Sequence, residues 1–188
     1  MTAPVSPAAR FSVGTRVLHW LAAVLVFTTL IVGFVLANSL ASYATLLSLH
    51  KVLGALVFVV FIVRTLNRLT HRAPALPDTV GRIERLGVAA SELALYVLLL
   101  AQPLVGWAML SASGVPVELF NSLRLPPITP VDAALYGALR NIHSVLAYAL
   151  VVLIAAHVSA ILLHTLTLRD GMLGRMTFGG INKPSTTK

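Results

Sequence analysis

The sequence predicts an all-α integral membrane protein, a four-helix up-and-down bundle with both termini on the cytoplasmic side. Three observations carry this prediction. Of 188 residues, 57% are hydrophobic and 11% charged, and the mean hydropathy of +0.89 lies outside the soluble range. Four apolar runs can each cross a hydrocarbon core of about 30 Å, which takes roughly 20 residues of helix. The basic residues gather between those runs, mostly on one side. The chain has no cysteine, so disulfides, thiolate metal sites and covalently attached haem are excluded. A formal charge of +8 could point to nucleic acid, but the cations form no patch interleaved with aromatics. Membrane lipid is the expected surrounding, and nucleic acid is not an expected partner.

The first span, about residues 16–37, reads "VLHWLAAVLVFTTLIVGFVLA" and is followed by no charged side chain before Lys51. Its length, and a histidine near its start, argue against a cleaved signal peptide. The second, about 49–68, reads "HKVLGALVFVVFIVRTLNRL", with Arg64 and Arg68 placed where long stems snorkel to the interface. The third, about 91–112, contains Pro103 and Gly106, so a kink is expected in its second half. The fourth covers about 141–166. Residues 1–178 then form one domain, and the tail 179–188 reads as disordered. No internal repeat stands out.

Eleven of the fourteen basic residues flank the spans on one side: Arg10 and Arg16; Arg64, Arg68, Arg72, Arg82 and Arg85; Arg169, Arg175, Lys183 and Lys188. Lys51, Arg124 and Arg140 lie opposite. By the positive-inside rule the larger set is cytoplasmic, and so is the link with Pro74 and Pro77. The segment "SGVPVELFNSLRLPPITPVDAALYG" then faces the periplasm. Its proline density predicts a lid-like loop without regular strands, carrying one short surface helix near 131–139. Trp20 and Trp107 read as interface anchors, and His71 as a solvated loop residue.

Three of the six histidines fall in the fourth apolar run, at His143, His157 and His164. At about 100° per residue they share one helical stripe about 60° wide. At roughly 1.5 Å per residue, His143 and His157 stand about 21 Å apart, with His164 about 10 Å further on. Alternating crossings place His50 and His143 near the periplasmic face, and His19 near the cytoplasmic face with His157 or His164. Depth measured from Arg169 favours His164 as the partner of His19; spacing alone leaves that pairing open.

A zinc site closes with four ligands, or with three and an open water position, and each depth offers fewer. A haem iron takes only two axial ligands from the protein, and paired imidazoles on facing helices suit it. Filling both axial positions favours electron transfer over oxygen chemistry. A histidine within a span is costly unless partnered, so four at two matched depths point to function. Gly33, Gly54 and Gly106 would let a macrocycle approach the backbone, although helix packing accounts for them equally.

The ordered set "RVLHW", "HKVLGAL", "QPLVGW" and "HSVLAYALVVLIAAHVSAILLHTLTLRDGMLGRM" resembles the bacterial cytochrome b-561 family. These are four-helix dihaem membrane cytochromes, related to the membrane subunits of nickel-iron hydrogenases and formate dehydrogenases. The resemblance covers roughly residues 10–178. It implies two haem b groups, with His50 and His143 as iron ligands on the periplasmic side and His19 and His157 on the cytoplasmic side, so that His164 is not an iron ligand. Standalone members resemble superoxide oxidase, which passes electrons from superoxide to ubiquinone. By that resemblance His164 contacts the quinone, and Arg82 is the positional counterpart of a family lysine near it. On the outer side Lys51, Arg124 and Arg140 could attract an anion, modestly once Glu118 and Asp132 are counted. Two further readings are an electron-conduit subunit docked on a hydrogenase or dehydrogenase as redox partner, and a histidine-relay transporter for metal or protons. The scarcity of carboxylates in the spans disfavours the transporter.

Overall fold

The computed structural model describes residues 10–71, 74–75, 80–120, 123–168 and 172–178. The tail at 179–188 lies outside them, as do Arg72, Pro77, Arg169, Lys183 and Lys188 from the topology argument. Four long helices dominate: α1 Val13–Asn38, α2 Tyr43–Thr70, α3 Arg82–Ala112 and α4 Ala133–Leu162. A π-helical turn, Leu163–Leu168, continues α4, and a short 3-10 turn, Leu173–Arg175, follows. The spanning helices are 26, 28, 31 and 36 residues long, counting the π turn with α4. At about 1.5 Å per residue each exceeds a bilayer core.

Local chemistry sets the ends. The Ser12 hydroxyl accepts from the Thr15 amide at 3.3 Å, and the Asp132 carboxylate from the Leu135 amide at 2.7 Å, each satisfying an orphan donor of a first turn. Glu84 reaches back to the Gly81 amide at 2.9 Å. Gly114, at φ +75°, turns the chain away after α3, where a residue with a Cβ would be strained.

Two expectations for the outer loop are corrected. Val117–Leu119 (β1) and Leu123–Leu125 (β2) form an antiparallel hairpin pairing Glu118 with Arg124. The prolines flank these two segments without interrupting them, and both alternate apolar with charged residues, as a ribbon requires. The short surface helix near 131–139 is the first two turns of α4 itself, because no proline or cap separates Ala133 from His143. The loop is strapped onto α3: Thr129 donates to the Ala108 carbonyl at 3.0 Å and the Ile128 amide to the Ser111 hydroxyl at 3.2 Å.

The described ends meet at the opposite pole. The Phe11 amide donates to the Arg175 carbonyl at 3.2 Å, the Trp20 indole to the Met176 carbonyl at 3.0 Å, and Arg16 to the Thr177 carbonyl at 2.9 Å. Arg175 is buried and donates to the Ala75 carbonyl at 2.8 Å. Trp20 therefore ties the C-terminal segment down as well as sitting at an interface depth.

Few side chains are buried, and large apolar ones such as Val24, Ile31, Val59 and Val152 are open on the outside, the pattern of a bundle solvated by lipid. The core is a layer at mid-depth: Val26 of α1, Val57 of α2 and Leu150 of α4, with Leu95, Leu98 and Leu99 of α3 packed against it. Leu150 is only 2% exposed. Trimming it removes dispersion contacts that lipid cannot replace. Leu150→Ala should destabilise the bundle by roughly 2–4 kcal/mol, seen as a lower thermal midpoint in detergent, while Val152→Ala on the lipid face should leave the midpoint nearly unchanged.

Candidate functional site

Seven residues make almost two helical turns, and the layers of this bundle follow that step. From the core layer of Val26, Val57 and Leu150 with Leu99 packed against it, one step toward the hairpin pole reaches Gly33, His50, Gly106 and His143; one step toward the terminal pole reaches His19, Arg64, Glu92 and His157. Three of the four helices thus contribute a histidine, and α4 contributes two.

In the outer layer the His50 and His143 rings lie 6.2 Å apart between centroids, with planes at 83°. Two metal–imidazole bonds of about 2.0 Å, plus about 1.1 Å from each nitrogen to its ring centre, span about 6.2 Å. The spacing therefore matches two imidazoles on opposite sides of one metal ion. Both Nδ1 atoms are buried without a partner in good hydrogen-bond geometry. Each ring has one backbone neighbour able to accept from it, Thr29 for His50 and Gln102 for His143. Backbone on the Nδ1 side orients an imidazole and leaves Nε2 for a metal.

The two rings are seated by the same device. A Cβ on Gly33 would stand 2.9 Å from His50 Cε1, and one on Gly106 would stand 3.2 Å from His143 Cε1. Each glycine lies four residues after the backbone neighbour of the ring it touches, Thr29 before Gly33 and Gln102 before Gly106. Gly54 differs, since a Cβ there would meet nothing within 4 Å. The motif "QPLVGW" now has a physical reading. Gln102 donates its side-chain amide to the His143 carbonyl at 3.1 Å, Gly106 admits the ring, and Trp107 donates to the Pro126 carbonyl at 3.0 Å, pinning the outer loop.

In the inner layer His19 and His157 interact electrostatically, and both feel Arg64. Glu92 acts on His157 as well, but its carboxylate is held by Arg68, Nε to Oε1 at 3.0 Å and Nη2 to Oε2 at 3.5 Å. Arg68 turns to Glu92, and Arg64 carries a buried Nη1 without a partner. Among the described residues, no three histidine or carboxylate side chains form a cluster able to hold a bare metal ion.

The register of Arg64 and Glu92 with the histidines escaped the sequence reading, although the signal was present. The step from His50 through Val57 to Arg64 repeats the step from His143 through Leu150 to His157. His164 falls half-buried at the start of the π turn that continues α4. Arg82 is exposed in the first turn of α3. His71 is exposed and borders a cavity of about 450 Å³ at the terminal pole, beside Arg10, Thr15 and Arg68.

A sequence profile described as "Prokaryotic cytochrome b561" matches residues 10–179. The chain belongs to the prokaryotic cytochrome b561 family. It is 29% identical over 170 residues to "Cytochrome b561 homolog 2" of Escherichia coli (strain K12), covering 89% of this chain and 90% of that protein. It is 27% identical over 171 residues to "Cytochrome b561 homolog 1" of the same organism, covering 89% and 96%. As a family member it is a multi-pass protein of the bacterial inner membrane, in a family that binds haem b and transfers electrons. The outer layer fits that group: paired half-buried imidazoles at the required span, oriented by backbone, with glycines behind them. A methyl group behind His50 is the sharpest probe of this fit. Gly33→Ala should push the ring off its position and reduce bound haem at that layer, measured as pyridine haemochrome per chain. Gly106→Ala, with a few tenths of an ångström to recover, should do so less.

Proposed function

We propose that the chain holds two haem b groups, one between His50 and His143 and one between His19 and His157, and carries electrons across the inner membrane. In this reading superoxide is oxidised at the periplasmic side and ubiquinone is reduced at the cytoplasmic side, with both termini cytoplasmic. The observation that carries it is the pair of imidazoles at 6.2 Å in the outer layer. Each haem, when bound, would supply a one-electron centre, held by the paired histidines of its layer.

The remaining work belongs to the chain. Val26, Val57 and Leu150 keep water out of the interval between the two histidine layers, about 21 Å along α4. That layer keeps charge transfer confined to the two centres. Lys51 and Arg140 supply positive charge at the outer face. Arg124 is engaged with Glu118, whose carboxyl it holds below the usual range, chiefly through their hydrogen bond. Attraction of an anion therefore falls mainly to Lys51 and Arg140. His164, just beyond the inner layer, is suited to hydrogen-bond a quinone carbonyl and pass it a proton. Arg82 is the second proposed quinone contact.

The reduced-minus-oxidised spectrum and haem content of the purified protein test this. Two haem b per chain are expected, His143→Ala should lose one, and His164→Ala should keep both while slowing superoxide-driven ubiquinone reduction roughly tenfold or more. A single haem in the wild-type protein, or loss of one in His164→Ala, overturns the ligand assignment. Two intact haems with no superoxide-driven reduction would redirect the reading to an electron conduit docked on a separate dehydrogenase or hydrogenase.

A further inference from the structure

The inner layer contains a cation that ligation does not account for. Arg64 stands one heptad from Val57, level with His19 and His157, and its Nη1 is buried without a partner. A guanidinium inside a bilayer is costly unless an anion meets it. The chain has six acidic residues, and every one that the structure describes is engaged elsewhere. Glu84 caps α3, Glu92 binds Arg68, Glu118 binds Arg124 and Asp132 caps α4. Asp78 and Asp170 lie outside the described residues. Arg68, one turn further along α2, shows what Arg64 lacks.

Haem b brings two propionate carboxylates wherever its iron is held. We propose that Arg64 is the counter-ion of a propionate of the inner haem. The planar fork of a guanidinium matches a carboxylate through two parallel hydrogen bonds, and the low dielectric strengthens the pair. The outer layer has glycines, Gly33 and Gly106, at its other two positions, and its neighbouring cations, Lys51 and Arg140, stand at the outer face. The inner centre thus has a cation within its own layer and the outer one does not. A fixed positive charge beside an iron stabilises the form with the extra electron, so Arg64 raises the reduction potential of the inner centre and makes transfer from the outer to the inner layer more favourable. Arg64 acts as a positioning and tuning residue and does not ligate the metal.

This assignment rests on the proposed haem at His19 and His157, and the two can fail separately. If His157→Ala leaves haem content at the wild-type value, the haem assignment of that layer fails. With that assignment intact, the test of Arg64 is an optical redox titration of the purified, haem-loaded protein in detergent, comparing wild type, Arg64→Met and Arg64→Lys. One of the two one-electron components should move to lower potential in Arg64→Met by about tenfold in its equilibrium constant, or about 59 mV. Arg64→Lys should recover most of that shift, and the other component should stay in place. Redox-difference infrared spectra of protein carrying haem labelled with ¹³C in its propionate carboxylates should show the labelled band displaced in Arg64→Met. Selective loss of one haem in Arg64→Met that Arg64→Lys restores also supports the pair. Unchanged potentials and an unchanged labelled band at full haem content overturn it, as does equal haem loss in both variants.

Discussion

A seven-residue step along four antiparallel helices governs this bundle. Because seven residues return a helix almost to the same face about 10.5 Å further along, any two residues so spaced share one stripe at successive depths. On α4 the step runs His143, Leu150, His157; on α2 it runs His50, Val57, Arg64; on α1, Gly33, Val26, His19; on α3, Gly106, Leu99, Glu92. Four stripes face inward together and their members form three layers. The middle layer is apolar, while the two flanking layers hold four of the six histidines together with Arg64 and Glu92.

Lipid makes that layering consequential. In water, an apolar middle layer would be favoured because it leaves solvent; in a membrane the surroundings are as apolar as the core, and association depends on close packing and polar satisfaction. The large side chains facing outward reflect this. Polar groups inside must then be matched with care. Arg68 and Glu92 match each other, the His143 carbonyl is met by Gln102, and the outer imidazoles are left with backbone on one side and each other on the opposite side. Glycine does what no larger residue could at Gly33 and Gly106, giving up a methyl group so that a ring can occupy its place.

The two polar layers are built differently although both contain two histidines. The outer layer sets its rings against glycines and backbone; the inner one surrounds its rings with Arg64 and, at greater remove, the Arg68–Glu92 pair. Arg64 lies on the side where the described ends are tied together by Phe11, Arg16, Trp20 and Arg175.

The sequence by itself determined the fold class, the four spans, the outer pairing of His50 with His143 and the family resemblance, because hydropathy, helical period and local motifs are properties of neighbouring residues. Helix ends were less legible: α2 begins at Tyr43 and α3 at Arg82, since apolar content marks the membrane and not the cap. The Glu118–Arg124 hairpin was hidden behind the prolines that bracket it. Only the tertiary structure decided that His50 and His143 face each other at 6.2 Å, that the "QPLVGW" residues seat the second of those rings, and that Arg64 turns inward. Each of these depends on how far one helix is rotated and shifted against another, and a single chain segment carries no record of its neighbour's phase.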